Sequence, residues 1–274
     1  MKKDKLPHLL NLIDDDTREV RETVLKELSA YGESLEIDLL ELNNILDPDA
    51  AKLIDPIIQK NRRKWLADYW ITWQAIPDEV EQLEAALTLL AKFQYGPHFK
   101  GNLKFTLDKM AQYFQNIYPY GNEIDLSVHL FQELRIQGDK KNYFNPLNSN
   151  IFYAIEEKQG LPITLCILYM LIGYRCGFKI EGSNFPGHFL TKIKFDYEIQ
   201  FIDCFNGGKI IYESEMREIY KDSQETLMQI IKSSVSTKLI VKRIISNLVN
   251  AYKEDGNRDN SQFFKDLLES TSWK

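Results

Sequence analysis

Two short apolar segments constrain the fold of this chain more than any other feature. Residues 184–190 read Asn-Phe-Pro-Gly-His-Phe-Leu, and residues 201–208 read Phe-Ile-Asp-Cys-Phe-Asn-Gly-Gly. Apolar runs bounded by Pro-Gly and Gly-Gly predict two strands that end in turns. His188 opens the first run, and Asp203 follows fifteen residues later in the second. Neighbouring antiparallel strands would hold the pair as a base and its orienting carboxylate, although a purely structural hydrogen bond is the alternative.

Four motifs, which precede or contain this pair, resemble the motifs of a known protein family. They are Asn148-Ser149 before a helix, Gly160 to Leu165 at the start of an apolar helix, Pro186 to Leu190, and Asp203 to Gly208. In order and spacing they resemble the SirB-type branch of the transglutaminase-like superfamily, over residues of about 120 to 215. The resemblance implies an α+β, mostly helical chain with a papain-like core. In that core a central helix packs on a small antiparallel sheet, and the site lies where the helix start meets the His188 strand.

The position of the nucleophile is where the chain departs from that family. Active transglutaminase-like enzymes carry a cysteine at the start of the central helix, and the matching segment here is Pro162-Ile163-Thr164. Thr164 offers a hydroxyl, and Cys166 offers a thiol about half a helical turn further along. A threonine at a helix start commonly caps the helix or bonds to backbone, and a cysteine in an apolar helix commonly packs as a small hydrophobic residue. Both stay candidate nucleophiles, and the family triad lacks its cysteine.

Asn148 is a further candidate for the site. Amide side chains can donate to the oxyanion that forms during acyl transfer. Loop asparagines also serve turns and helix caps, which is the alternative role for Asn148.

Composition excludes several classes of function. The net charge is −6, the isoelectric point is about 5.4, and the basic residues are scattered, which argues against general affinity for nucleic acid or anionic membranes. Three cysteines without a Cys-x-x-Cys pair indicate a reducing compartment, with neither a disulfide framework nor a zinc site. We expect no metal and no cofactor. The longest apolar run, Leu161 to Gly173, is too short to cross a bilayer. We therefore predict a cytoplasmic protein.

Helical patterns flank the predicted core on both sides. The beginning of the chain shows capping residues at 13–17, followed by apolar residues at helical spacing, and it resembles a single HEAT repeat. The last residues predict a helix, a turn and a second helix that resemble one tetratricopeptide hairpin. We predict three parts: a helical region at 1–118, a transglutaminase-like core at 119–215, and helices at 216–274 that pack on the core.

Two functions from different classes follow from these patterns. In the first, the protein is a degenerate, non-catalytic member that acts on protein or peptide partners in a regulatory or assembly role. The missing cysteine, the flanking helices and the loop aromatics Tyr143 and Phe144 favour this hypothesis. The substrate or partner and the oligomeric state stay open.

In the second, the protein is an amide hydrolase or acyltransferase of the cysteine or threonine type. His188 would act as general base, Asp203 would orient it, and Thr164 or Cys166 would attack. Backbone N–H groups at the start of the central helix would stabilise the oxyanion. A threonine hydroxyl needs a base within hydrogen-bond reach, so the geometry around His188 decides between the two hypotheses.

Overall fold

Helices make up most of the chain, as the sequence predicts. The computed structural model describes residues 2–42, 48–185, 187–195, 198–219, 221–223, 229–230 and 233–273. Position Pro186 of the Pro-Gly-His-Phe-Leu motif lies outside the described residues. No described helix combines the length and apolarity that crossing a membrane requires.

The chain divides into two units, residues 1–72 with 89–100 and residues 73–88 with 101–274. The first unit contains the helices α1 (Lys2–Leu10), α2 (Arg18–Ser29), α3 (Ser34–Glu41) and α4 (Pro48–Tyr69). Its core consists of aliphatic side chains that recur at helical spacing, among them Leu6, Ile13, Leu28, Leu35 and Ile54. Helix α5 (Glu79–Tyr95) has residues in both ranges.

The second unit holds the remaining α-helices, separated by short 3₁₀ and π turns. These helices are α6 (Leu103–Ile117), α7 (Glu123–Val128), α8 (Ile151–Glu156), α9 (Pro162–Arg175), α10 (Glu213–Ile219), α11 (Thr237–Glu254) and α12 (Arg258–Ser270). The short turns of this unit are His129–Glu133, Pro146–Ser149, Cys204–Asn206 and Lys221–Ser223, and the turn Trp70–Ala75 has residues in both ranges.

An antiparallel sheet of four strands lies in the same unit. Its strands run in sequence order: β3 (Ile180–Phe185), β4 (His188–Lys194), β5 (Ile199–Asp203) and β6 (Lys209–Tyr212). Two shorter strands, β1 (Gln137–Gly138) and β2 (Gln159–Gly160), pair in parallel elsewhere in the unit.

Helix α9 packs against β3 and β4 and is buried along nearly its whole length. The helix lies close to β3 at Gly173, where a Cβ atom would lie 2.4 Å from Ile180 Cδ1. The run of apolar residues on all sides of α9 is explained by this position, since a helix covered on every face has no polar side to present to water. The prediction of a mostly helical chain with a small antiparallel sheet is confirmed.

Candidate functional site

His188 and Asp203 come together at one end of the four-stranded sheet. His188 is the first residue of β4 and Asp203 is the last residue of the neighbouring β5. His188 Nε2 lies 3.1 Å from Asp203 Oδ1, and the imidazole side chain is 32% exposed. The N–H direction of Nε2 is not aligned for a hydrogen bond, although the distance is that of an ion pair. The proximity predicted from the sequence is therefore present, with an open side of the ring.

Asp203 is held by the turn that follows its strand. Its Oδ1 atom accepts a hydrogen bond from the backbone N–H of Asn206 (3.1 Å), and its Oδ2 atom accepts one from Asn206 Nδ2 (2.8 Å). Burial by itself raises the pKa of Asp203, but the contacts with His188 and Asn206 outweigh burial and bring that pKa below its ordinary value. Asp203 is thus a buried carboxylate that stays ionised beside the imidazole.

Thr164 uses its hydroxyl inside the protein. Thr164 Oγ1 donates to the backbone carbonyl of Asn148 (2.8 Å), which also accepts the backbone N–H of Leu161 (3.0 Å). The Thr164 side chain is only 1% exposed. This is the backbone-bonding role that the sequence offered as the alternative to a nucleophile, and it ties the start of α9 to the preceding loop.

Cys166 is buried completely within the packed face of α9. Its thiol donates to the backbone carbonyl of Phe189 (3.4 Å), the residue that follows His188. Burial, followed by the neighbouring Cys204, raises the pKa of the Cys166 thiol well above its ordinary value. A buried thiol with a raised pKa is a poor nucleophile, because the thiolate is the reactive form.

Asn148 is fully buried and organises the loop before α8. Its Nδ2 group donates to the backbone carbonyl of Asn142 (2.7 Å) and to Asp139 Oδ2 (3.2 Å). The amide donors that an oxyanion would need are therefore already engaged in the loop. Asn148 Oδ1 is buried and has no hydrogen-bond partner within the described part of the chain.

Phe205 connects the His188 ring to a group of aromatic side chains. The Phe205 ring lies 6.4 Å from the His188 ring and 5.9 Å from the Tyr143 ring, measured between centroids. Tyr143 and Phe144, predicted as loop aromatics, are 40% and 50% exposed. Phe205 also covers Gly138, where a Cβ atom would lie 2.3 Å from the Phe205 ring, so glycine is needed there.

A pocket of about 460 Å³ opens beside this aromatic group. Phe205 and Asn206, which flank the His188–Asp203 pair, form part of its wall. The opposite part comes from segments 137–141 and from Gln159. This volume is within the range of ligand sites in proteins.

Arg243 of α11 was not identified from the sequence as a residue near the site. Its guanidinium lies over the Phe189 ring, 5.5 Å from the centroid, and Nη1 donates to the backbone carbonyl of Phe185 (3.2 Å) and to the side chain of Asn184. Burial lowers the pKa of Arg243. Arg243 fastens α11 to the end of the hairpin that carries His188. No local signal could have found it, because its partners lie nearly sixty residues away.

Among the described residues, no group of three or more His, Cys, Asp or Glu side chains is arranged to hold a metal ion. The site contains a partly exposed imidazole, an ionised carboxylate and a neighbouring pocket lined by polar side chains.

Comparison with known proteins places this geometry in a family. Residues 101–246, more than half of the chain, match the model of the transglutaminase-like superfamily. The chain belongs to the transglutaminase-like superfamily. The matched range contains α9, the four-stranded sheet and every candidate site residue. Within it, His188 Nε2 and Asp203 Oδ1 lie 3.1 Å apart, and Thr164 and Cys166 are buried in the first turns of α9.

Curated relatives of this transglutaminase-like protein come from bacteria and mammals. A UPF0162 protein of Xylella fastidiosa strain 9a5c is 29% identical over 209 residues, which cover 71% of this chain and 73% of the relative. Human F-box only protein 21 is 27% identical over 150 residues, which cover 51% of this chain and 23% of that protein. A UPF0162 protein of Vibrio cholerae is 31% identical over a shorter stretch of 78 residues. No solved structure matches the chain.

Proposed function

We propose that this chain is a SirB-type transglutaminase-like protein that forms no acyl-enzyme and acts by binding a segment of another protein beside His188. The observation that carries this proposal is the state of the two candidate nucleophiles. The Thr164 hydroxyl is bonded to the Asn148 carbonyl, and the Cys166 thiol is buried against the Phe189 carbonyl. Covalent catalysis needs a nucleophile that is accessible to both the base and the substrate, and the burial of both groups argues against that role.

The surroundings of His188 support binding rather than turnover. The imidazole is partly exposed and contacts Phe205, which lines the pocket and packs against the exposed Tyr143 ring. Tyrosine and other aromatic side chains are enriched at binding hot spots because they bury a large area at little cost in side-chain entropy. In this proposal the partly exposed His188 imidazole, which lies beside the Asp203 carboxylate, offers a hydrogen-bonding group to the bound segment.

The flanking regions complete the proposal. We assign residues 1–118 to a helical region that starts with one HEAT-like repeat, 119–215 to the transglutaminase-like core, and 216–274 to a short tetratricopeptide-like tail. In the tail, α11 and α12 form one helix–turn–helix in which the rings of Tyr252 and Phe264 stack 5.6 Å apart. One hairpin cannot form the concave groove of a repeat array, so we assign binding to the core pocket. Three free cysteines suit the cytoplasm.

Reaction with electrophiles tests the absence of a nucleophile. The native protein is incubated with iodoacetamide and with a peptide that carries an electrophile in place of its scissile amide, and adducts are mapped by mass spectrometry. We expect modification of the half-buried Cys176 alone, and of Cys166 and Cys204 only after unfolding in urea. A native-state adduct on Thr164 or Cys166 that disappears in His188→Ala would instead establish the alternative, a hydrolase or acyltransferase.

Peptide selection tests the binding function. A random-peptide display library is panned against the intact chain, and the dissociation constants of selected peptides are measured by fluorescence anisotropy. Tyr143→Ala should weaken binding by about tenfold or more, the size of a hot-spot aromatic. Phe105→Ala is the control, because Phe105 is an exposed aromatic on α6. Equal loss in both variants, or no selected peptide, would contradict the proposal.

A further inference from the structure

The pocket beside His188 and Asp203 is lined by more cationic and amide side chains than carboxylates. Asn206 connects the pocket to the pair, because it lines the pocket while its amide donates to Asp203 Oδ2 (2.8 Å). Phe205 forms the adjoining wall and contacts the His188 ring. A ligand in this pocket would therefore lie next to the His188–Asp203 pair.

Two lysines line the pocket and form no ion pair with any residue that the structure describes. Lys140 and Lys141 line it, both are exposed, and neither has an ion-pair partner in the part of the chain that the structure describes. Amide side chains of Gln137, Gln159 and Asn206 add further N–H donors. The pocket is thus rich in donors and positive charge, in a chain whose net charge is −6.

The one carboxylate among the described lining residues does not offset these cations. Asp139 is 4% exposed and turns into the protein. Its Oδ1 atom accepts the backbone N–H groups of Lys141 (3.1 Å) and Asn142 (2.8 Å), and its Oδ2 atom accepts Asn148 Nδ2 (3.2 Å). Because these donors already engage both oxygens, Asp139 shapes the loop that presents the lysines and leaves their ammonium groups for a ligand.

We infer that this pocket recognises an acidic side chain of the bound protein segment, with Lys140 and Lys141 pairing with its carboxylate. The inference rests on the proposed binding function and names the chemistry of the partner. Lysine ammonium groups at a pocket rim select charge more than shape, so the interaction steers acidic segments and weakens as salt screens it. The amide groups of Gln137, Gln159 and Asn206 complete the donor set around the carboxylate.

The test is a parallel selection with one random-peptide display library on three proteins. These are the unmodified chain, Lys140→Gln/Lys141→Gln, and the control Lys104→Gln/Lys265→Gln, which makes the same change in net charge at exposed lysines of the same unit. Peptides selected by the unmodified chain and the control should be enriched in Asp and Glu over the starting library. The enrichment should be absent for Lys140→Gln/Lys141→Gln. Thermal unfolding of all three proteins checks that the fold survives.

The selected peptides then give a quantitative readout. Replacing their acidic residues by the matching amides should weaken binding to the unmodified chain by about two- to tenfold, the range for two exposed ion pairs. The same replacement should leave binding to Lys140→Gln/Lys141→Gln unchanged. Selected peptides without acidic enrichment, or an enrichment that persists in Lys140→Gln/Lys141→Gln, would overturn the inference and leave the binding function standing. Failure to select any peptide would overturn the binding function itself. Binding of inorganic phosphate without enrichment of acidic peptides would overturn the inference about an acidic segment.

Discussion

The sheet side and the helix side of the candidate site differ in what they leave accessible. On the sheet side, His188 is 32% exposed and has an ionised carboxylate 3.1 Å away. On the helix side, Thr164 and Cys166 are 1% and 0% exposed, and each donates to a backbone carbonyl. The difference teaches that a hydroxyl or thiol in the right segment does not make a nucleophile. In this chain the imidazole is accessible, whereas the hydroxyl and the thiol are part of the packing.

The difference in accessibility follows from how deeply each element is buried. Helix α9 is buried on nearly all faces, so every polar group on it must find a partner inside the protein. The end of the β4–β5 pair reaches the surface, where a polar group can also be satisfied by water or by a ligand. Substitutions on the helix side should therefore reduce stability, and substitutions on the sheet side should reduce binding.

Asn148→Ala should have the largest effect, because Asn148 supports the loop to which the helix side is tied. The change removes the hydrogen bonds that Asn148 Nδ2 donates to Asp139 Oδ2 and to the backbone carbonyls of Asn142 and Tyr143, and it leaves Asp139 Oδ2 buried without that donor. We expect a loss of about 2–4 kcal/mol in the free energy of unfolding, measured in urea. Asn142→Ala is the matched control, since Asn142 contributes its backbone and not its exposed side chain, and it should cost less than about 0.5 kcal/mol. Similar costs for both variants would contradict a supporting role for the Asn148 amide.

Thr164→Val should come next, since it removes only the hydroxyl from the helix side. The Asn148 carbonyl keeps its bond from the Leu161 N–H, so we expect a loss of about 1–2 kcal/mol in unfolding free energy. Thr164→Ser restores the donor and should recover part of that loss. Peptide binding by Thr164→Val should be unchanged. If binding instead falls tenfold while stability is kept, the helix side takes part in function and the comparison fails.

Asp203→Asn should show a pH-dependent effect from the sheet side. The pKa of Asp203 is lower in the folded protein than its ordinary value of 3.8, so the unfolded chain takes up the proton more readily. The stabilisation is therefore complete above about pH 4–5 and is lost as pH falls through the folded pKa. Asp203→Asn should be about 1 kcal/mol less stable at pH 7, and the gap should narrow below about pH 4.

Urea unfolding at several pH values measures this gap. Asp266→Asn, which changes an exposed carboxylate on α12, is the control and should show no such narrowing. The difference in unfolding free energy between the native chain and Asp203→Asn could instead stay constant from pH 7 to pH 3. That result would mean that the folded protein does not stabilise the ionised form of Asp203.

His188→Gln should have the smallest effect on stability. The imidazole is partly exposed and its contact with Asp203 is not an aligned hydrogen bond, so we expect less than about 0.5 kcal/mol. Binding of selected peptides should nevertheless weaken, because the ring lies beside the pocket. Calorimetric titration of peptide into both proteins measures the change. Unaltered affinity would move the binding site away from the His188–Asp203 pair.

Much of the core could be predicted from local patterns. The apolar runs around His188 and Asp203 are strands, and the apolar segment after Pro162 is a buried helix, because each pattern reports how many faces of an element are covered. The partners of the site residues could not be predicted in the same way. Thr164 bonds a carbonyl sixteen residues away, and Arg243 reaches Phe185 across fifty-eight residues.

From the sequence alone, the two strands and the proximity of His188 and Asp203 could be predicted, because apolar runs bounded by turn residues indicate neighbouring strands. Only the tertiary structure decided which polar groups are available. The Thr164 hydroxyl, the Cys166 thiol and the Asn148 amide are all present in the sequence as possible site residues, and all three are taken up by partners that folding brings to them. Lys140 and Lys141 are left without such partners among the described residues. Availability depends on contacts between distant segments, and no local pattern records those contacts.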